Sequence, residues 1–396
     1  MKILVVSYYF RPDLSAGAFR MTPFVDALAE LAPVGTGVDV ITTLPHRYHT
    51  FSAEAPEHEH RGAVTITRIP LPNHRGGMLD QSRAFATFAR RARQVAGRNY
   101  DLVFASSSRL MTAVLGAWLA SRARAPLYLD LRDIFADTIR EVLTGAASRL
   151  AAPSFSLLER WAVSRAAKVN LVSRGFAPYF ASRYPRQQFS YFSNGIDAEF
   201  VTASAVPASL GGDWSRDRPL TVLYAGNIGE GQGLETIIPI LAERMGRRVR
   251  FQIVGDGGRR TALERALLTR NVGNVELRPP VNRPELLELY RAADVLFLHL
   301  NDYDAFRKVL PSKIFEYAAL GKPIWAGVAG YAAKFLEEEV VNAAVFEPSN
   351  ASDAVRAFDR LDLVASSRLE FIGRYSRTTI SRALAADVLS VARAAD

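Results

Sequence analysis

The chain alternates short runs of β-branched and aliphatic residues with stretches of helical period, and this rhythm repeats twice. In the first half the pattern predicts strands at Ile3–Ser7, Val38–Thr42, Thr65–Ile69, Leu102–Ala105, Leu127–Leu131 and Lys168–Val172. Helices are predicted near Gly17–Leu31, Gln81–Ala96, Met111–Ala123, Ser154–Ala166 and Gly175–Tyr184. A second series begins at Leu220, with strands at Thr221–Ala225, Arg250–Val254, Val275–Arg278, Val295–Leu298, Pro323–Ala326 and Ala344–Phe346. Its helices fall near Leu234–Met245, Arg259–Leu268, Arg283–Ala292, Ser312–Ala319 and Ala351–Leu361. Strands alternating with helices are the mark of parallel α/β sheets.

Val201 to Pro219 is rich in Ser, Ala, Pro and Gly without a clear period, as an interdomain linker would be. The expected layout is a first domain over 1–200, a linker over 201–219, a second domain over 220–377 and a last helix over 378–396. Two doubly wound domains facing each other would bind ligand at the carboxyl ends of their strands. Candidate residues should therefore lie in loops that follow strands.

Composition narrows the classes. The 396 residues suit two α/β domains, and 49% hydrophobic with 22% charged residues suits a folded soluble protein. There is no cysteine, which removes disulfides, thiolate metal sites and cysteine nucleophiles. The net charge of +9 favours partners that carry phosphates. The apolar run of Met1–Ser7 is too short for a signal peptide, and no window reaches the roughly 18 apolar residues that cross a bilayer. A cytoplasmic location is expected, with peripheral contact at the inner face of the plasma membrane as an option. Gln81–Arg98 supports that option, since Phe85, Phe88, Ala92 and Val95 share one helical face and arginines cover much of the rest. A domain helix with its apolar face in the core is the alternative. The charge is dispersed and no recognition motif appears, so nucleic acid is not an expected partner.

Several loops carry candidate chemistry. Gly17 follows the first strand and opens a helix, where a residue without Cβ lets backbone amides approach a phosphate. The spaced glycines of a dinucleotide fingerprint are absent. Asp130-Leu-Arg132-Asp133 closes the fifth strand. An Asp there can accept from an acceptor hydroxyl, and Arg132 can hold a phosphate or fix that Asp; a solvated strand edge is the bland alternative. Asn194-Gly195 reads as a turn with positive φ. Gly226-Asn227-Ile-Gly229-Glu-Gly231-Gln-Gly233 makes a strand-to-helix turn suited to cradling a diphosphate. Gly255-Asp256-Gly257 offers a backbone shelf for a flat base, or a plain loop. In Leu310-Pro-Ser312-Lys313-Ile-Phe-Glu316, Pro311 suits helix entry, Ser312 is a plausible N-cap, and Lys313 adds a cation where helix amides favour an anion. Glu316 can accept from both hydroxyls of a ribose while Lys313 and Arg307 neutralise a diphosphate.

Leu310-Pro-Ser-Lys-Ile-Phe-Glu316-Tyr with Gly321-Lys-Pro323, Asn194-Gly-Ile-Asp197, the Gly226–Gly233 turn and Val254-Gly-Asp-Gly257 resembles the family 4 retaining glycosyltransferases, over nearly the whole chain and in order. Asp130-Leu-Arg-Asp133 resembles the branch that builds O-antigen and capsular polysaccharides. The resemblance implies a GT-B fold, with donor held mainly by the second domain, acceptor by the first, and a final helix crossing back. It implies no metal and no cofactor, a nucleotide diphosphate sugar (UDP-linked) as donor, and hexosyl or N-acetylhexosaminyl transfer to a saccharide or lipid-linked saccharide. Glu316 takes the place of the family's second glutamate, whereas the first falls on Lys308. Glu230 and Gln232 stand where a basic pair often binds the diphosphate, and Arg132 stands where many members have histidine. Catalytic roles are therefore expected of Asp133, Arg132 and Lys313, and donor contacts of Gly17, Gly226, Asn227, Gly229, Gly255, Asp256, Arg307, Ser312, Lys313 and Glu316. The rival readings are a nucleotide-sugar 2-epimerase of the same fold and a non-catalytic binding or scaffold protein.

Overall fold

The computed structural model describes residues 1–13, 15–45, 54–72, 78–107, 109–134, 146–204 and 218–394. Two compact units divide the chain: Met1–Gly195 with Arg377–Asp396, and Ile196–Ser376.

Unit 1 is built on β1 (Lys2–Ser7), β2 (Gly37–Thr43), β3 (His58–Arg61), β4 (Val64–Ile69), β5 (Leu102–Ser107), β6 (Leu127–Leu131), β7 (Lys168–Leu171) and β8 (Phe189–Ser190). They form one sheet in the order β3-β4-β2-β1-β5-β6-β7-β8, parallel except for the β3–β4 pair. The central strands β1, β5 and β6 are buried almost throughout, as expected of apolar runs covered on both faces. The helices are α1 (Ala16–Leu31), α2 (Met78–Val95), α3 (Leu110–Ala123), α4 (Ala146–Arg165) and α5 (Ala177–Arg183). In α1, Met21, Phe24, Val25 and Leu28 recur at helical spacing and sit in the core.

Of the two readings of Gln81–Arg98, α2 follows the one that turns its apolar face into the domain core. Phe85, Phe88 and Ala92 are buried, and both rings pack on Tyr8, with centroids 5.9 and 5.2 Å away. Of the four apolar face residues only Val95 is exposed. No helix among the described residues is long and apolar enough to cross a membrane.

Unit 2 begins with α6 (Ala198–Ser204), which corrects the expected start of the linker at Val201: Phe200 on this helix is fully buried. Residues 205–217 of that linker lie outside the described residues. The sheet comprises β9 (Leu220–Ala225), β10 (Val249–Val254), β11 (Val275–Arg278), β12 (Val295–His299), β13 (Ile324–Gly327) and β14 (Ala343–Phe346), in the order β11-β10-β9-β12-β13-β14, all parallel. Its helices are α7 (Leu234–Met245), α8 (Arg260–Thr269), α9 (Arg283–Ala292), α10 (Ser312–Ala319), α11 (Tyr331–Glu339), α12 (Ala351–Phe358) and α13 (Leu369–Tyr375). One core joins α9, α10, α11 and α13 to the sheet, and a second joins α7, α8 and α12 to it.

The last helix, α14 (Arg377–Arg393), belongs to unit 1, where Leu384, Ala385, Val388 and Leu389 share a core with α1. Asp387 fastens it to the sheet, accepting from Lys168 Nζ at 2.5 Å and Tyr128 Oη at 2.7 Å.

A buried ion pair locks the carboxyl ends of unit 1. Arg20 on α1 donates Nε to Asp130 Oδ2 at 2.9 Å and Nη2 to Oδ1 at 2.8 Å. Ser106 Oγ (2.9 Å) and Asn170 Nδ2 (2.7 Å) complete the carboxylate. Two more Arg20 hydrogens go to the carbonyls of Ser193 and Phe192. Burial favours protonation of Asp130, but Arg20 and Asn170 outweigh it and hold the carboxyl below its ordinary value. Truncating one partner strands a buried charge, which typically costs about 3–5 kcal/mol. Arg20→Ala is expected to lower the melting temperature sharply, and replacing both charges with Arg20→Met and Asp130→Leu should recover part of the loss. An unchanged melting curve in Arg20→Ala would contradict the account.

Candidate functional site

Each sheet grows in one direction from its first strand and then resumes on the other side of it. Loops that leave the sheet at such a reversal diverge and leave a crevice. In unit 2 the reversal lies between β9 and β12. The loops that meet there are Gly226–Gly233 and Leu300–Pro311, joined by Asn301 N–H to the Gly231 carbonyl at 2.8 Å.

His299 at the end of β12 fixes this junction. It is fully buried, with Nδ1 2.6 Å from the Gln232 carbonyl and Nε2 accepting from Ser349 N–H at 2.9 Å. The two partners define one neutral tautomer, proton on Nδ1. Burial pushes its pKa down to about 4, partly opposed by the Gln232 carbonyl.

The glycines do less for ligands than their sequence suggests. A Cβ on Gly231 would lie 2.6 Å from the Phe306 ring, and one on Gly233 (φ 56°) would collide with Asn301. At Gly255 (φ 152°) it would meet the Gly226 carbonyl at 1.8 Å. The Gly255–Gly257 loop is thus occupied by the Gly226–Ile228 backbone, through Gly226 N–H to the Val254 carbonyl and Ile228 N–H to the Asp256 carbonyl. Asn227 is also committed internally, its Nδ2 donating to Gln232 Oε1 and its carbonyl accepting from Tyr224 Oη. Gly229 N–H donates to the same Gln232 oxygen, and Asp256 Oδ1 accepts from Gly257 N–H.

Gly226 is different. A Cβ there would sit 3.7 Å from Lys313 Cε and 3.2 Å from Tyr224 Oη, so the lysine stem from α10 lies against the β9 turn. Lys313 Nζ donates to Glu316 Oε2 at 2.8 Å and to Tyr290 Oη at 3.0 Å, and Tyr290 also lies 3.4 Å from the same carboxylate oxygen. Burial works against the Lys313 charge, but Glu316, with Tyr317 and Tyr224, outweighs it and holds the ammonium above the ordinary lysine value. An ammonium has three hydrogens, of which Tyr290 and Glu316 take two. Glu316 Oε1 has no hydrogen-bond partner among the described residues. One N–H and one carboxylate oxygen are therefore left for a ligand.

Ser312 does not cap α10. Pro311 holds the N-cap position and Ser312 is the first helical residue. Arg307 is not brought to Lys313 by any contact; Asp302 grips it at 2.7 and 2.6 Å on the exposed surface. Two site residues escaped the sequence reading. Tyr290 looks there like one more core position of α9, and it is fully buried. Arg283, at the start of α9, faces Glu316 electrostatically while Asp197 (2.7 Å) and Glu199 hold it. Asp197 thus has a structural task, and Gly195 before it does not adopt the positive φ expected of an Asn-Gly turn.

In unit 1 the reversal lies between β1 and β5. Gly17 is not at a turn but within the first turn of α1, after Ser15, whose Oγ accepts from Ala18 N–H at 3.1 Å. A methyl on Gly17 would stand 3.0 Å from Arg132 Nη1. The structure thus brings Gly17 and Arg132 together. It also corrects the expected fixing of Asp130 by Arg132, because Arg20 holds that carboxylate and leaves it no free lone pair. Asp133 Oδ1 accepts from Ile134 N–H at 2.9 Å.

Two doubly wound sheets of this build are those of the GT-B fold, and known proteins agree. Residues 24–195 match the glycosyl transferase 4-like domain, and residues 214–374 match the glycosyl transferases group 1 domain. The chain belongs to the family 4 glycosyltransferases. A 105-residue stretch is 34% identical to the putative colanic acid biosynthesis glycosyl transferase WcaI of Escherichia coli, spanning about a quarter of each protein (26%). Trehalose 6-phosphate synthase from Burkholderia multivorans shares the fold over 100% of this chain and 97% of its own (TM-score 0.68, 16% identity). HepE from Anabaena, solved with UDP and glucose, does so over 100% and 98% (0.58, 18%). The lipopolysaccharide glycosyltransferase WaaG also does so over 100% and 98% (0.59, 15%).

The buried imidazole gives unit 2 an acid sensitivity. The folded pKa of His299 lies below the unfolded value of about 6.5, so the unfolded chain binds the extra proton between these values. Stability from this group is full above pH 6.5 and is lost as pH falls toward 4, amounting to about 3 kcal/mol. Urea denaturation across this range should show His299→Gln losing less stability on acidification than the parent; parallel pH profiles would contradict the assignment.

Proposed function

We propose that the chain transfers a sugar, with retention, from a UDP-linked donor to a saccharide or lipid-linked saccharide during polysaccharide or glycoconjugate synthesis. The observation that carries this reading is the Lys313–Tyr290–Glu316 group beside Gly226, with one ammonium hydrogen and one carboxylate oxygen unspent. A nucleoside diphosphate offers the complement: phosphate oxygens for Lys313 and ribose hydroxyls for Glu316 Oε1. The family membership and the UDP bound by HepE support that choice of donor. WcaI and WaaG, named for colanic acid and lipopolysaccharide biosynthesis, support the polysaccharide setting.

In the reaction the bond from the anomeric carbon to the diphosphate oxygen breaks, and its electron pair leaves with the nucleotide. The acceptor oxygen bonds to the same face of the sugar, and its proton passes to the departing phosphate. No protein nucleophile is required on this path. Lys313 stabilises the charge that develops on the leaving group, while Tyr290 and Glu316 keep its ammonium in place. Asp133 and Arg132, in unit 1, are assigned to binding the acceptor.

Glu316→Ala removes a charged hydrogen-bond acceptor, a change worth about 1.5–3 kcal/mol. Steady-state assays with a UDP-sugar should show kcat/KM falling about ten- to a hundred-fold, with a raised donor KM. Kinetics equal to those of the parent would remove Glu316 from the donor site.

A further inference from the structure

Unit 1 contains a guanidinium with no hydrogen-bond partner among the described residues. Arg132 follows β6, and its Nε is sealed from solvent without a hydrogen-bond partner. Its side chain donates to no other described residue. The nearest buried carboxylate cannot serve it, since Arg20, Ser106 and Asn170 fill all four lone-pair positions of Asp130. Burial and the like charges of Arg20 and Arg377 act against the Arg132 charge, with Asp130 and Asp133 opposing them, and the balance brings its pKa down to about 10. It remains a cation at neutral pH. A cation in this setting, short of hydrogen-bond acceptors, gains most from a ligand that brings negative oxygens.

The surroundings fit such a ligand. Gly17 leaves room for Nη1, since a Cβ there would stand 3.0 Å away and crowd it by a few tenths of an ångström. Gly17 also lies in the first turn of α1, whose leading amides have no carbonyl to bond within the helix. A helix start alone would not define a site; the half-buried guanidinium beside it, whose sealed Nε has no hydrogen-bond partner, supplies the independent observation.

We infer that Arg132, seated against Gly17, is a phosphate receptor in unit 1. This rests on the glycosyltransfer reading only for the source of the phosphate. Two sources share the chemistry: a phosphate carried by the acceptor and the diphosphate of the donor. The donor already has Lys313 in unit 2, which favours the acceptor. On that assignment Arg132 selects acceptors that bear a phosphate or pyrophosphate.

The test is calorimetric titration of the full-length chain with inorganic pyrophosphate, alone and with saturating UDP, for the parent, Arg132→Gln, Arg132→Lys and Gly17→Ala. Each variant is first checked for a cooperative melt, so that a folding defect is not read as lost binding. The apparent Kd for pyrophosphate is expected to rise about ten-fold or more in Arg132→Gln, with partial recovery in Arg132→Lys. Gly17→Ala, which crowds Nη1, should weaken binding while keeping the arginine. Pyrophosphate binding that persists under saturating UDP assigns the receptor to the acceptor, and competition by UDP assigns it to the donor. Glu316→Ala should leave pyrophosphate binding at Arg132 intact, which separates this site from the donor reading. Equal pyrophosphate affinity in the parent and a folded Arg132→Gln, or no binding to the parent at all, overturns the proposal.

Discussion

The position of the chemistry follows from one topological constraint, the reversal of strand order beside the first strand of each sheet. Parallel strands require crossovers, and crossovers on opposite faces pull the loops apart where the order turns round. In unit 2 this happens between β9 and β12, and it is there that Gly226, Lys313 and the loop after His299 come together. In unit 1 it happens between β1 and β5, and Gly17, in the first turn of α1 after β1, meets Arg132, which follows β6. Side chains that are distant along the chain become neighbours because the sheets leave them no other place to converge.

Keeping such a crevice open needs rigid walls, and the two units build theirs differently. Unit 1 uses a saturated buried ion pair, Arg20 with Asp130, which ties α1 to β5, β6 and β7 and to the carbonyls of Phe192 and Ser193. Unit 2 uses backbone contact. The loops after β9 and β10 touch through glycines where any Cβ would collide, and one neutral histidine joins the Gly-rich turn to Ser349. Both devices hold loops by buried polar groups bonded within their own unit. Against that background Arg132, the free hydrogen of Lys313 and Oε1 of Glu316 stand out, because they are polar capacity the fold itself does not use.

Much of this was legible in the residues and some was not, for physical reasons. The strands could be read because sheets covered on both faces demand continuous apolar runs, as in Ile3–Val6 and Leu102–Ala105. β3 was missed because His58–Arg61 is polar and lies at the edge of its sheet. α6 was missed because its one decisive residue, Phe200, sits among small residues that read as linker. Lys313 and Glu316 could be paired in advance, being three apart on one helix face. Tyr290 could not, since its hydroxyl meets them across two elements while its ring looks like any core position. Asp130 was misjudged for the same reason: its partner Arg20 stands 110 residues away. The part each glycine turn plays could not be read, because sequence cannot distinguish backbone packed against backbone from backbone open to a phosphate.

The central claim is that the Lys313–Glu316 group of unit 2 grips a nucleotide diphosphate sugar. Ligand that binds only the folded state raises the melting temperature, so a thermal-shift series of UDP-, GDP- and ADP-linked sugars tests it directly. The account predicts that a UDP-sugar stabilises the parent chain and gives a much smaller shift with Lys313→Met. It would be contradicted if no nucleotide sugar stabilised the parent, or if Lys313→Met were stabilised to the same degree.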